Sequence, residues 1–189
     1  KESIPYFQKA LAITPNPDLY SNIGTAYFYL QRYAESVPMF EKAVAMKPNE
    51  EWITGNLADG YRWNGQKEKS LATYDKAIAL AYKELQVNPR NASTMGDLAG
   101  YYAKKGDRAQ SVEWISRARS IDPNGVELIY QAAIVHALAN RSEDALKDLR
   151  EAFQKGYSTE QARTDPEFGS LQSRPEFANL LAEFSTSKK

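Results

Sequence analysis

The chain has 189 residues, with 24 basic and 24 acidic side chains, a formal net charge of zero, one histidine and no cysteine. Balanced charge argues against an electrostatic nucleic-acid surface, and no apolar run is long enough to span a membrane. The absence of cysteine removes disulfides, thiolate metal sites and cysteine nucleophiles; it fits a reducing compartment, so a cytoplasmic location is expected.

Residues 2–15 read ESIPYFQKALAITP and predict a helix. LYSNIGTAYFYLQRY from Leu19 predicts a second helix, and residues 35–48, ESVPMFEKAVAMKP, repeat the first segment in register. The same alternation continues. ITGNLADGYRWNGQK from Ile53 precedes KSLATYDKAIAL from Lys69, and TMGDLAGYYAKKGDR from Thr94 precedes QSVEWISRARSIDP from Gln110. LIYQAAIVHALANRS from Leu128 precedes the weaker copy DALKDLREAF at 144–153.

Landmarks keep the beat. Ala10, Ala43, Ala77, Ala118 and Ala152 are separated by 33, 34, 41 and 34 residues, and Pro15, Pro48, Pro89 and Pro123 by 33, 41 and 34. A period of about 34 residues predicts stacked helical pairs, because one pair cannot bury its apolar face alone. Gly24, Ala58, Ala99 and Ala133 are small residues that let paired helices approach closely, and Tyr27, Tyr61, Tyr102 and His136 follow three residues later. Gly65 and Gly106 end two first helices. Pro5 and Pro38 stand just inside second helices, where local shape explains them.

These landmarks resemble the tetratricopeptide repeat (TPR) family across residues 1–155 or so. The resemblance implies an all-α fold, a right-handed α-α superhelix, in one domain. Residues 1–16 form a partial repeat with a second helix only, 17–50, 51–91, 92–125 and 126–157 form full repeats, and 158–189 carry capping helices. A chain starting inside a repeat is expected to be a piece of a longer polypeptide, with an open N-terminal face through which copies can associate. Departures from the family pattern are Tyr20 in place of Trp, His136 in place of Tyr, and Ile115 and Leu149 where an aromatic is usual.

The 41-residue gap places seven extra residues between Ala77 and Pro89. Seven residues preserve helical phase, so the helix is expected to lengthen by roughly 10 Å and project past the edge of the array. After Gly156, the pieces DPEFGSL and RPEFANL predict two short helices covering the last repeat, with Phe168, Leu171, Phe177, Leu180 and Leu181 buried and Ser185 to Lys189 frayed. This segment of about 30 residues resembles those closing repeat arrays in bacterial multidomain signalling proteins, including eukaryotic-like serine/threonine kinases and adenylate cyclases.

Little in the chain points to chemistry. His136 occupies a packing position, no second histidine supports a metal site, and no cofactor is expected. Gly96 and Gly100 lie inside a helical pattern rather than in a phosphate loop. Asn91-Ala92-Ser93 and Asn140-Arg141-Ser142 match the glycosylation acceptor pattern, which short sequences meet by chance. Catalysis within the chain is not expected.

The expected partner is a protein or peptide held in the concave groove lined by the first helices. Asn22, Asn56, Asp97 and Gln131 share one register position. In peptide-binding members of the resembled family, asparagines there grip the ligand backbone, and an amide can donate and accept together. The aromatics Phe28, Tyr29, Trp52, Trp63 and Tyr130 lie off the packing stripe and are candidate anchors, with Phe28 and Trp63 placed in the groove. Packing between neighbouring repeats is the alternative for Trp52 and Trp63. The subclass that clamps chaperone C-termini wants Lys and Asn, then Asn, then Lys and Arg. This chain offers Ser21 and Thr25, then Asn56, then Ser93 and Asp97; one repeat later, Gly55, Asp59, Asp97, Glu127 and Gln131 match nothing. A chaperone-tail receptor is therefore not expected. The alternative function is a regulatory TPR region of a larger bacterial signalling enzyme.

Overall fold

The computed structural model describes residues 6, 7, 9, 11 and 13–185. Pro5, Ala10 and residues 186–189 lie outside the described residues, as does most of the expected partial repeat; Tyr6, Phe7, Lys9, Leu11 and Ile13 are helical. Among the described residues there is no strand. The helices are α1 (Pro17–Tyr29), α2 (Tyr33–Met46), α3 (Glu51–Trp63), α4 (Lys67–Val87), α5 (Ala92–Lys105), α6 (Arg108–Ile121), α7 (Val126–Leu138), α8 (Ser142–Gln154), α9 (Thr159–Thr164) and α10 (Pro175–Ser185), with a 3-10 turn at Pro166–Phe168.

Local chemistry starts and stops these helices. Asn16 Oδ1 accepts from Leu19 N at 2.8 Å and Asn91 Oδ1 from Thr94 N at 3.2 Å, which satisfies amides that have no partner within the helix. Asp107 and Ser158 cap α6 and α9 in the same way. Left-handed residues end the first helices at Gln31 (φ 58), Gly65 (φ 75), Gly106 (φ 87) and Asn140 (φ 62), at the spacing of the repeat. Asn91 and Asn140 thus have conformational roles that account for their presence. Pro38 is the sixth residue of α2, deeper than the expected first turn, so it removes an intrahelical hydrogen bond.

Two compact units, Lys1–Lys83 and Glu84–Lys189, divide the chain. In the first, α2 packs on α1 and α3, and α1 also touches α3. Phe40 of α2 is 2% exposed and lies between Gly24 of α1 and Gly60 of α3. Val37, Leu57 and Tyr61 complete that core. Ser70 Oγ of α4 donates to Ala58 O at 2.9 Å, tying α4 to α3.

In the second unit, α5 packs on α6 and α7, and α7 packs on α6 and α8. The core continues into the C-terminal segment. Phe168 and Leu171 are fully buried, and Phe177, Leu180 and Leu181 join them against Ile129, Ala133 and Leu149. Each such side chain contributes about 2 kcal/mol of burial. The cap differs in detail from the two helices expected. The PEFANL part of RPEFANL lies in α10, but DPEFGSL makes the 3-10 turn and irregular turns, and α9 precedes it. Gly169 and Ser170 follow directly after Phe168, and residues of such weak helix propensity leave a one-turn nucleus nothing to propagate.

The long helix also departs from expectation. α4 has 21 residues, but its added length is not a bare projection: Ala81 is 0% and Leu85 9% exposed. Ala77, Ala81 and Leu85 are four residues apart, so the extension prolongs the buried stripe. Val87, at 88% exposure, lies off that stripe.

Candidate functional site

In the first unit, Thr25, Phe28 and Tyr29 of α1, Phe40 of α2, and Asn56 and Asp59 of α3 line a cavity of about 80 Å³. The spacing explains the convergence. Thr25 and Tyr29 are four apart on α1, and Asn56 and Asp59 three apart on α3, so each pair shares a helix face. Asn56 Nδ2 donates to the buried Ser21 Oγ at 3.2 Å. The hydroxyl of Tyr74, a fully buried residue of α4, donates to Asp59 Oδ1. Nearby on α3, Tyr61 donates to Glu41 Oε1 at 2.7 Å; burial, reinforced by that carboxylate, pushes the phenol up to about 12.

Aromatic contacts extend from the cavity. Phe28 meets Tyr29 edge to face at 5.8 Å and Tyr33 at 5.3 Å, and Tyr33 stacks on Trp63 at 5.8 Å with 26° between ring planes. The Arg62 guanidinium lies 5.1 Å from the Trp63 ring centroid. Trp63 is half-buried, and packing against Tyr33 accounts for one of its faces. Asn22 is exposed and is not part of the cavity lining, nor is Trp63. Of the six candidate residues in this unit, then, Phe28, Tyr29 and Asn56 meet at the cavity, Trp63 connects to Phe28 through Tyr33, and Asn22 and Trp52 are exposed outside the lining. Sequence reasoning did not select Thr25, Tyr33 or Asp59. The three-residue step from Asn22 to Thr25 and from Asn56 to Asp59 was the available signal.

In the second unit, Gln131 Nε2 donates to Asp97 Oδ1 at 2.9 Å, joining α7 to α5 at the shared register position. The Gln131 amide lies against Gly96, where a Cβ would collide with it and would stand 2.6 Å from Leu128 Cδ1. Tyr130 is not an exposed anchor. It is 3% exposed, stacks on Tyr157 at 4.0 Å and donates to Asp165 Oδ2 at 2.8 Å, because the C-terminal cap covers it. Burial pushes the Asp165 carboxyl above its ordinary range, against hydrogen bonds from Glu167 N and Tyr130. His136 Nδ1 lies 2.7 Å from Asp148 Oδ2, linking α7 to α8. Among the described residues no group of three or more His, Asp or Glu could hold a metal ion, and no helix is long and apolar enough to cross a membrane.

The sequence model of the bacterial transcriptional activator domain (BTAD) family matches residues 18–96. No curated protein matches the chain. Among solved structures, the chain is similar to TTC0263, a thermophilic TPR protein of Thermus thermophilus, with 16% identity and a TM-score of 0.59 over 97% of this chain and 88% of that one. The fold is of the tetratricopeptide type. A chain of the APC/C hetero-tetramer Cut9–Hcn1 is also similar, with 12% identity and a TM-score of 0.58 over 98% of this chain and 35% of that chain. YrrB, a TPR protein with an unusual peptide-binding site, aligns at 12% identity and a TM-score of 0.46 over 96% of this chain and 93% of that one.

Proposed function

We propose that the chain is a protein-interaction scaffold that holds an extended segment of a partner protein on its first-helix faces and performs no catalysis. The observation that carries this reading is the cavity between α1 and α3, where the Asn56 amide and the Phe28 and Tyr29 rings converge, with Asn22 exposed on α1. Amides grip a peptide backbone without reading its side chains, and aromatic walls anchor one side chain. The residues 1–16 face is proposed as a second association surface, between copies. Selection of random displayed peptides on the immobilised chain tests the main reading. Wild-type protein is expected to enrich a peptide family that the Asn22→Ala/Asn56→Ala variant binds at least about tenfold more weakly, the equivalent of about 1.4 kcal/mol. Equal binding by both proteins rejects the amide positions.

The match of residues 18–96 to the transcriptional activator domain favours a second reading, in which this scaffold is the regulatory part of a larger bacterial regulator or signalling enzyme. The surrounding reading frame tests it. A DNA-binding or catalytic domain on the same polypeptide is the expected result, and its absence rejects the reading.

A further inference from the structure

One contact recurs along the first helices. Asn56 Nδ2 of α3 donates to Ser21 Oγ of α1, and the Tyr130 hydroxyl of α7 donates to Asp165 Oδ2 of the cap; the partners in both pairs are 35 residues apart. Gln131 Oε1 lies against Gly96 at the same separation. What holds the side chain differs from pair to pair. Gln131 needs no hydroxyl at position 96, because its Nε2 donates to Asp97 Oδ1 at 2.9 Å. Asn56 is held by Ser21 at 3.2 Å. Ser21 is 1% exposed and does not line the cavity, so a ligand there meets Asn56 and not Ser21. Alanine would occupy the same place and form helix better. A buried hydroxyl is tolerated where it has a partner, and among the described residues the side-chain partner of Ser21 is Asn56. The bond is not needed to join α1 to α3, since Phe40 already packs between Gly24 and Gly60.

We infer that Ser21 is a positioning residue for peptide binding, which holds the Asn56 amide in one rotamer at the cavity before a ligand arrives. The inference rests on the peptide-scaffold reading above and goes beyond it to how the site is prepared. An untethered amide turns about its side-chain torsions, and a ligand that grips it must freeze them. An amide tied at its nitrogen by a buried hydroxyl has lost that freedom on folding, so the ligand meets it already ordered. The tie uses one of the two N–H groups of Asn56. The other N–H and the carbonyl oxygen keep the capacity to pair with a peptide unit. Ser21 therefore acts on the ligand through Asn56 alone.

The test uses the full chain and a peptide selected on it from a random display library, with binding read by fluorescence anisotropy. Ser21→Ala should weaken binding about fivefold, the cost of immobilising one more side chain. In the Asn56→Ala background the same substitution should change binding by less than about twofold, because the group it positions is gone. In the unliganded chain, Ser21→Ala should lower the NMR order parameter of the Asn56 side-chain amide and leave the melting temperature unchanged. Binding that Ser21→Ala leaves unchanged, or weakens equally with and without Asn56, overturns the inference while the scaffold reading stands. An Asn56 order parameter that Ser21→Ala does not move does the same. A selection that enriches no peptide overturns both.

Discussion

The Phe40 ring occupies the space that a side chain at Gly24 would need: a Cβ there would stand 2.6 Å from Cδ1 and Cε1. The opposite edge of the ring packs close to Gly60, where a Cβ would stand 3.0 Å from Cδ2, so the ring sits between two glycines. Gly24→Ala should therefore cost about 1–3 kcal/mol through overpacking, although alanine is the better helix former. Gly100, inside α5, has open space where a Cβ would stand, with nothing within 4 Å, so Gly100→Ala should stabilise by about 0.5–1 kcal/mol. Urea denaturation midpoints measure both, and the opposite order of effects rejects this packing.

Gln31 adopts φ 58 at the end of α1, the place that glycine takes at Gly65 and Gly106. For a residue with a Cβ, the left-handed conformation costs about 1 kcal/mol. Gln31→Gly should raise the unfolding free energy by roughly 0.5–1 kcal/mol, and Gly65→Gln should lower it by a similar amount. Chemical denaturation of the two variants checks the pair; destabilisation by Gln31→Gly counts against the turn geometry.

The extension of α4 makes a contrasting pair. Leu85 is 9% exposed and Val87 88%. Leu85→Ala should cost about 2–3 kcal/mol, whereas Val87→Ala should change stability by no more than about 0.5 kcal/mol. If thermal unfolding finds both variants neutral, the extension is a spur after all.

Asp165 should make stability depend on pH. Burial raises its carboxyl above the ordinary value of 3.8, so the neutral acid is the form the fold favours. Its contribution is fully present below that ordinary value and is lost as pH rises through the raised folded value. Asp165→Asn keeps an acceptor for the Glu167 amide and cannot ionise. The melting temperature of Asp165→Asn minus that of the wild type should therefore grow more positive between about pH 4 and pH 7. A difference that stays flat across that range rejects a titrating Asp165.

The helical repeat, the helix pairs and the capping role of the C-terminal apolar residues were all legible in the order of residues alone. Each of these follows from local spacing: a period near 34 residues, small residues where helices approach, and Phe168, Leu171 and Phe177 at core-like intervals. Register and departure from the packing stripe also pointed to Asn56 and Phe28. Tertiary contacts settled what spacing cannot express. Tyr130 lies off the Gly/Ala–Tyr packing stripe, yet a segment some 35 residues later covers it, and its hydroxyl donates to Asp165. Leu85 falls in an insert, yet the helix carries it onto a buried stripe. Asp59 matched no motif, and only the packing of α1, α2 and α3 brings it to the same cavity lining as Phe28 and Tyr29, while Tyr74 of α4 donates to its carboxylate. Periodicity reports which face of a helix a residue occupies. What that face meets depends on contacts between residues far apart in the chain, and those set burial, charge and the shape of the cavity.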